Sequence, residues 1–156
     1  KFENFNLAFR GKIDVSVDRQ TFQSGVSCHK KEIVFDNRKQ GTSSRYTGIP
    51  LWRLIAYADD PRYQPHKQAD QTVLSYDAGA AEEGYLIRIL AEDGFSVVLD
   101  SREVDRNDNV IIAMFRDDET LPAEEWPLVM VWDPDAATIP AGIRAVRNIT
   151  AIELIF

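Results

Sequence analysis

The stretch Tyr85-Leu86-Ile87-Arg88-Ile89-Leu90-Ala91-Glu92-Asp93-Gly94-Phe95-Ser96-Val97-Val98-Leu99 decides the fold class. Tyr85, Ile87 and Ile89 alternate with Leu86, Arg88 and Leu90, the period of two that puts one set of side chains on each face of a strand. Glu92-Asp93-Gly94 then supplies the turn chemistry of a hairpin, and Phe95 to Leu99 reads as the returning strand. Outward from this hairpin the same grammar repeats. Leu7 to Val17 reads as one or two strands broken at Gly11. Val110 to Phe115 and Leu128 to Trp132 are nearly continuous apolar runs, expected of strands covered on both faces. From Ile149 to Phe156, Ile152, Leu154 and Phe156 share a face opposite Glu153, so this segment is expected to be an integral sheet member.

Helices are expected to be few. Pro50 suits a first helical position, and Leu51, Leu54, Ile55 and Ala58 recur at helical spacing toward Pro61, which predicts the longest helix here. Asp77 is a candidate N-cap for a short turn through Ala80-Ala81-Glu82-Glu83, with Gly84 as its stop. Ser101 to Val104 and Pro122 to Trp126 are candidate single turns. Asp59 to Thr72, with Pro61, Tyr63, Pro65 and His66, reads as a long surface loop. No repeat and no linker interrupts the chain, so residues 1–156 are expected to form a single strand-rich α+β domain with a mixed sheet.

A chain of 156 residues can bury a core without disulfides or metal staples. Its 44% hydrophobic and 28% charged residues are those of an ordinary globular protein. A net charge of −7 argues against nucleic acid, which asks for a basic surface. No apolar run reaches the length of a membrane span. The chain starts at Lys1, without Met, which fits a processed or extracytoplasmic product.

Conventional site chemistries fail on inventory. One Cys and two His, His29 and His66, are too few for a structural zinc site, and no GxSxG, GxGxxG or P-loop pattern occurs. The acidic pairs Asp59-Asp60, Glu82-Glu83, Asp117-Asp118 and Glu124-Glu125 read as solvated turn charges. The single thiol is more informative. Cys28 stands in Val26-Ser27-Cys28-His29-Lys30-Lys31, read as a strand-like segment in which neighbouring positive charge favours the thiolate, the form that attacks electrophiles or binds soft metals. The competing reading is a small core hydrophobe, since free Cys is among the most buried residue types. Near the C-terminus Arg144 and Arg147 put two guanidiniums three residues apart, suited to a phosphate or to pairing with surface carboxylates. Arg38, Lys39 and Arg45 add local positive charge after Cys28.

Six blocks in order carry a family resemblance: Cys28; Tyr46-Thr47-Gly48-Ile49-Pro50-Leu51-Trp52-Arg53-Leu54-Ile55; Glu92-Asp93-Gly94-Phe95-Ser96-Val97; Asp108 to Phe115; Trp126-Pro127-Leu128-Val129-Met130-Val131; and Val146 to Leu154. Over roughly residues 6 to 156 the chain resembles the oxidoreductase molybdopterin-binding domain of the sulfite oxidase superfamily. The resemblance implies a mixed α+β fold, a molybdenum–molybdopterin cofactor and an electron-transfer protein as partner. It makes Cys28 the candidate molybdenum ligand and puts Arg147 on the family's closing Lys position, toward the cofactor's anionic end. His29, Lys30, Arg45 and Arg144 join Arg147 as candidate cofactor-binding residues. The chain departs from the family where His29-Lys30-Lys31 replaces Gly-Asn-Arg after the Cys. It departs again at Trp126-Pro127-Leu128-Val129, which lacks the usual Gly and Arg, and the resemblance extends over neither the family's pterin-wrapping insertions nor its dimerisation domain. These departures define the alternative, a degenerate member without cofactor that acts as a binding or accessory module.

Overall fold

A computed structural model describes residues 4–37, 42–57 and 77–156. The described residues form two five-stranded sheets. The first has the strand order β2-β1-β10-β5-β6, built from β1 (Asn6–Arg10), β2 (Asp14–Asp18), β5 (Leu86–Ala91), β6 (Ser96–Asp100) and β10 (Ile149–Ile155). The second runs β3-β4-β7-β8, with β3 (Lys31–Asn37), β4 (Thr42–Pro50), β7 (Val110–Arg116) and β8 (Glu119–Thr120), and β9 (Val129–Trp132) also pairs with β7. All pairings are antiparallel except β1 with β10, where Ala8 faces Ala151 and Arg10 faces Glu153. This is the strand-rich α+β class that the alternating segments predict.

The hairpin forms as its sequence implies. Ile87 and Ile89 are fully buried in register with Leu99 and Val97, and Gly94 N–H donates to the Ala91 carbonyl at the turn. The apolar runs are covered on both faces because they serve two cores. Val110, Ile112 and Met114 of β7 join the main cluster between the sheets, whereas Ile111 and Ala113 point into a smaller cluster with Ile33, Tyr46, Leu121, Val129 and Val131. A strand sandwiched in this way has no solvent face to leave polar. β10 is an internal strand, with Ile152 and Leu154 buried and Glu153 half-buried between Arg10 and Arg88.

Two helical expectations need correction. Cys28 lies on a helix, α1 (Arg19–His29), and the strand begins only at Lys31. The Asp18 carboxylate caps α1 by accepting from Thr21 N–H at 2.8 Å. The Ser24 and Ser27 hydroxyls fold back onto the carbonyls of Gln20 and Gln23. Only Phe22 and Val26, one turn apart, are buried; so narrow an apolar stripe gives little helical signal. At 11 residues α1 is also the longest described helix. The segment after Pro50 gives only the single turn α2 (Leu51–Leu54) and a 3-10 turn (Ile55–Tyr57), with Pro50 closing β4 as the N-cap residue. Its extension to Pro61 lies outside the described residues, as do the Asp59–Thr72 loop, His66, Arg38 and Lys39.

The short elements α3 (Ala78–Glu83) and α4 (Ser101–Val104) stand where expected. Asp77 accepts from Ala80 N–H at 3.0 Å, and Gly84 ends α3 at φ 101°, a conformation that a side chain would strain. Gly48 is constrained differently. It follows an irregularity in the β4–β7 register, and a Cβ there would lie 2.0 Å from the Ile112 carbonyl oxygen. The backbones of β4 and β7 approach that closely only because position 48 has no side chain.

Candidate functional site

Residues of the second sheet, with Ala91, Asp93 and Phe95 of the first, line an open cleft of about 1380 Å³. One wall is β3, which contributes five consecutive residues from Lys31 to Phe35. The lining continues with Val129, Val131 and Trp132 of β9, which packs against β3 through the Phe35 and Trp132 rings, with Arg144, Ala145, Arg147 and Asn148, and with Asp93, Phe95, Glu124 and Glu125 from turns. Met130 N–H donates to the Val146 carbonyl at 2.9 Å, which ties this segment to β9. Asn148 holds the rest of the lining in place. It adopts φ 54°, a left-handed geometry that Asn tolerates better than most residues. Its N–H donates to the Glu125 carbonyl at 3.2 Å, and its own carbonyl accepts from Glu92 N–H at 2.9 Å.

The lining includes an aromatic cluster and one buried acid. The Phe35 and Trp132 rings meet edge to face at 4.8 Å between centroids, and Phe35 meets Tyr46 at 6.3 Å. The Tyr46 hydroxyl donates to Glu125 Oε2 at 2.7 Å, while Arg116 Nη1 donates to Oε1 at 3.2 Å. Arg116 Nε also donates to Ser44 Oγ at 2.9 Å. Glu125 is only 4% exposed, so this carboxylate is a buried, doubly bonded group and not the solvated turn charge that its acidic neighbour Glu124 suggests. Burial, followed by the hydrogen bond to Glu125, pushes the Tyr46 phenol above its ordinary value. The Tyr46–Glu125–Arg116 cluster was not singled out by sequence reasoning, because its three members come from β4, β7 and a turn and share no local pattern.

The residues singled out from sequence separate into two groups. Arg144 and Arg147 line the cleft, three positions apart and both exposed, on either side of the buried Val146. Cys28, His29, Lys30 and Arg45 do not line it. Cys28 is exposed on the last turn of α1. Partial burial, and then the charge of Arg53, lower the His29 imidazole below its ordinary value. Lys30 pairs with Glu32 at 3.6 Å. Arg45 is engaged on the turn between β7 and β8, where its N–H donates to Asp117 Oδ1 at 2.9 Å and its guanidinium pairs with Asp118.

The chain is similar in fold to a sulfane dehydrogenase. The crystal structure of sulfane dehydrogenase SoxCD from Paracoccus pantotrophus superposes with a TM-score of 0.59 at 15% identity, over 97% of this chain and 38% of that one. This chain therefore spans well under half the length of its structural neighbour, and the likeness establishes the fold: the strand-rich mixed-sheet architecture that resemblance to the sulfite oxidase superfamily implies. No family model matches the sequence, and no curated protein matches it either.

A molybdenum–pterin group asks for a soft sulfur donor at the metal and for cationic side chains at its phosphate. The described lining of the cleft offers no sulfur and sets six carboxylates (Glu32, Asp93, Glu124, Glu125, Asp133, Asp135), two of them paired with Lys30 and Arg116 outside it, against three cations (Lys31, Arg144, Arg147). That donor set does not fit such a group. Among the described residues, no three His, Cys, Asp or Glu side chains converge as a metal site, and no helix is long and apolar enough to cross a membrane.

Proposed function

We propose that this chain is a binding module on a sulfite-oxidase-like fold, whose cleft between β3 and residues 144–148 receives part of a partner protein, and that it works without a molybdenum cofactor. The observation that carries this reading is the separation of Cys28 from the cleft. The thiol stands exposed on α1, whereas the cleft described above, large enough for a sizeable ligand, is lined by β3, β9 and residues of the 144–148 segment. The carboxylate excess of the lining supports it, since a phosphate-bearing cofactor would meet more like charge than opposite charge. Arg144 and Arg147 are then anchors for backbone carbonyl groups of the bound partner, not for a cofactor tail.

The rival reading makes Cys28 the molybdenum ligand, with Arg147 and Arg144 reaching the cofactor and an electron-transfer protein as partner. Elemental analysis of protein purified from its native host separates the two. The binding-module reading expects no molybdenum in wild-type protein isolated from cells whose other molybdoenzymes are loaded. Stoichiometric molybdenum that disappears in Cys28→Ser would overturn it.

A further inference from the structure

We infer that β3 takes up an extended, basic segment of a partner protein as an added strand, so that binding in the cleft proceeds by sheet extension. This rests on the binding-module reading and adds the partner's class and its mode of docking.

The first support is the free edge. β3 is the terminal strand of its sheet, and among the described residues it is paired on one side only, with β4. In an antiparallel pair, alternate residues of the edge strand point their N–H and C=O groups away from the neighbour, leaving a row of unpaired donors and acceptors. Proteins usually guard such rows with charge, proline or a bulge. Here Lys31 and the exposed Glu32 guard the start of the strand, but Val34 in its middle is 60% exposed.

The second support is that the edge faces the cleft. A strand that lined the cleft by one face would contribute every other residue, whereas β3 contributes all five from Lys31 to Phe35. The cleft therefore runs along the strand's edge. A segment laid there would form hydrogen bonds to β3 and drop alternate side chains toward Phe35, Trp132 and Tyr46, with the others facing solvent.

Charge selects the occupant. Glu32 and Glu125 are neutralised by Lys30 and Arg116, cations outside the lining. Asp93, Glu124, Asp133 and Asp135 have no ion pair among the described residues, and they outnumber Lys31, Arg144 and Arg147. The chain as a whole carries −7. Both the lining and the long-range field favour a segment with apolar residues at alternate positions and Lys or Arg between them.

The test uses the full chain and three blocked peptides. One alternates valine and lysine, the second alternates valine and glutamate, and the third is the first with alternate backbone amides N-methylated. Amide NMR and hydrogen exchange report where each binds. The expected result is binding of the valine–lysine peptide with new exchange protection confined to residues 31–35. Affinity should fall about tenfold or more on N-methylation, and a similar fall should follow for Asp133→Asn combined with Asp135→Asn at low salt. Undiminished binding of the N-methylated peptide, equal binding of the glutamate peptide, shifts away from β3, or no binding at millimolar peptide would overturn the inference. Protection of β3 that grows with protein concentration alone would replace the partner with a second copy of this chain, and so overturn it too. Failure with metal-free protein removes strand addition only, whereas molybdenum in native-host protein removes the binding-module reading itself.

Discussion

Replacing Tyr46 with Phe isolates the buried acid beneath the cleft. The substitution keeps a ring that is 3% exposed and removes only the hydroxyl that donates to Glu125 at 2.7 Å. No cavity forms, so the loss is that of a hydrogen bond to a charged group, about 1.5–3 kcal/mol near neutral pH. For a chain of this size that corresponds to a Tm drop of roughly 3–12 °C. The pH dependence gives a sharper check. The phenol is raised in the folded protein, by burial first and then by Glu125, while in the unfolded chain it ionises near pH ~10. Its contribution is therefore fully present below about pH 10 and is lost as pH rises toward the folded value, because only the unfolded state gives up the proton. Tyr46→Phe lacks that dependence. The stability gap between the two proteins should narrow by about 1.4 kcal/mol between roughly pH 9 and pH 11. Urea unfolding of both proteins across that range measures it. A neutral-pH cost below about 0.5 kcal/mol, or a gap that stays constant with pH, would refute the Tyr46–Glu125 argument.

Gly48→Ala should cost about 3 kcal/mol or more in thermal unfolding, since the new Cβ meets the backbone of Ile112 and Ala113, which no rotamer change can move aside. Cys28 should react with a thiol reagent in the native protein nearly as fast as in urea, and Cys28→Ser should change stability by less than about 0.5 kcal/mol. The His29 imidazole should titrate by NMR below the ordinary histidine value of about 6.5. Arg53→Gln should raise it only partway, because burial is the larger cause. Its neutral form is the one the fold favours, so any stability tied to it is lost as pH falls from about 6.5 through the lower folded value.

Local signals in the sequence foresee local structure well. The hairpin through Asp93-Gly94, the break at Gly11, the Asp77 cap with its Gly84 stop, and the alternation of Ile152, Leu154 and Glu153 all appear where the residue types demand them. α1 escapes because two buried side chains in 11 residues do not make a visible stripe. The site is less legible for a related reason. The cations after Cys28 adjoin it in sequence, but a helix ends and a strand begins among them: His29 is influenced by Arg53, Lys30 pairs with Glu32, and Lys31 enters the cleft. Adjacency along the chain does not become convergence in space. Glu125 shows the converse, since one of its partners, Tyr46, lies on a strand 79 residues away in sequence.

The central strand of the first sheet, β10, is drawn from the end of the described chain and lies between β1 and β5. During synthesis, β1 and the β5–β6 hairpin leave the ribosome well before the strand that joins them. Until it arrives, both present open edges with Phe9, Ile87 and Ile89 uncovered, although all three are buried in the finished molecule. Folding of this sheet is thus governed by its last-made piece, through contacts of long sequence separation that slow the search. A nascent chain stalled a few residues short of Ile149 would hold two half-sheets with nothing between them, the state in which a chaperone is most needed.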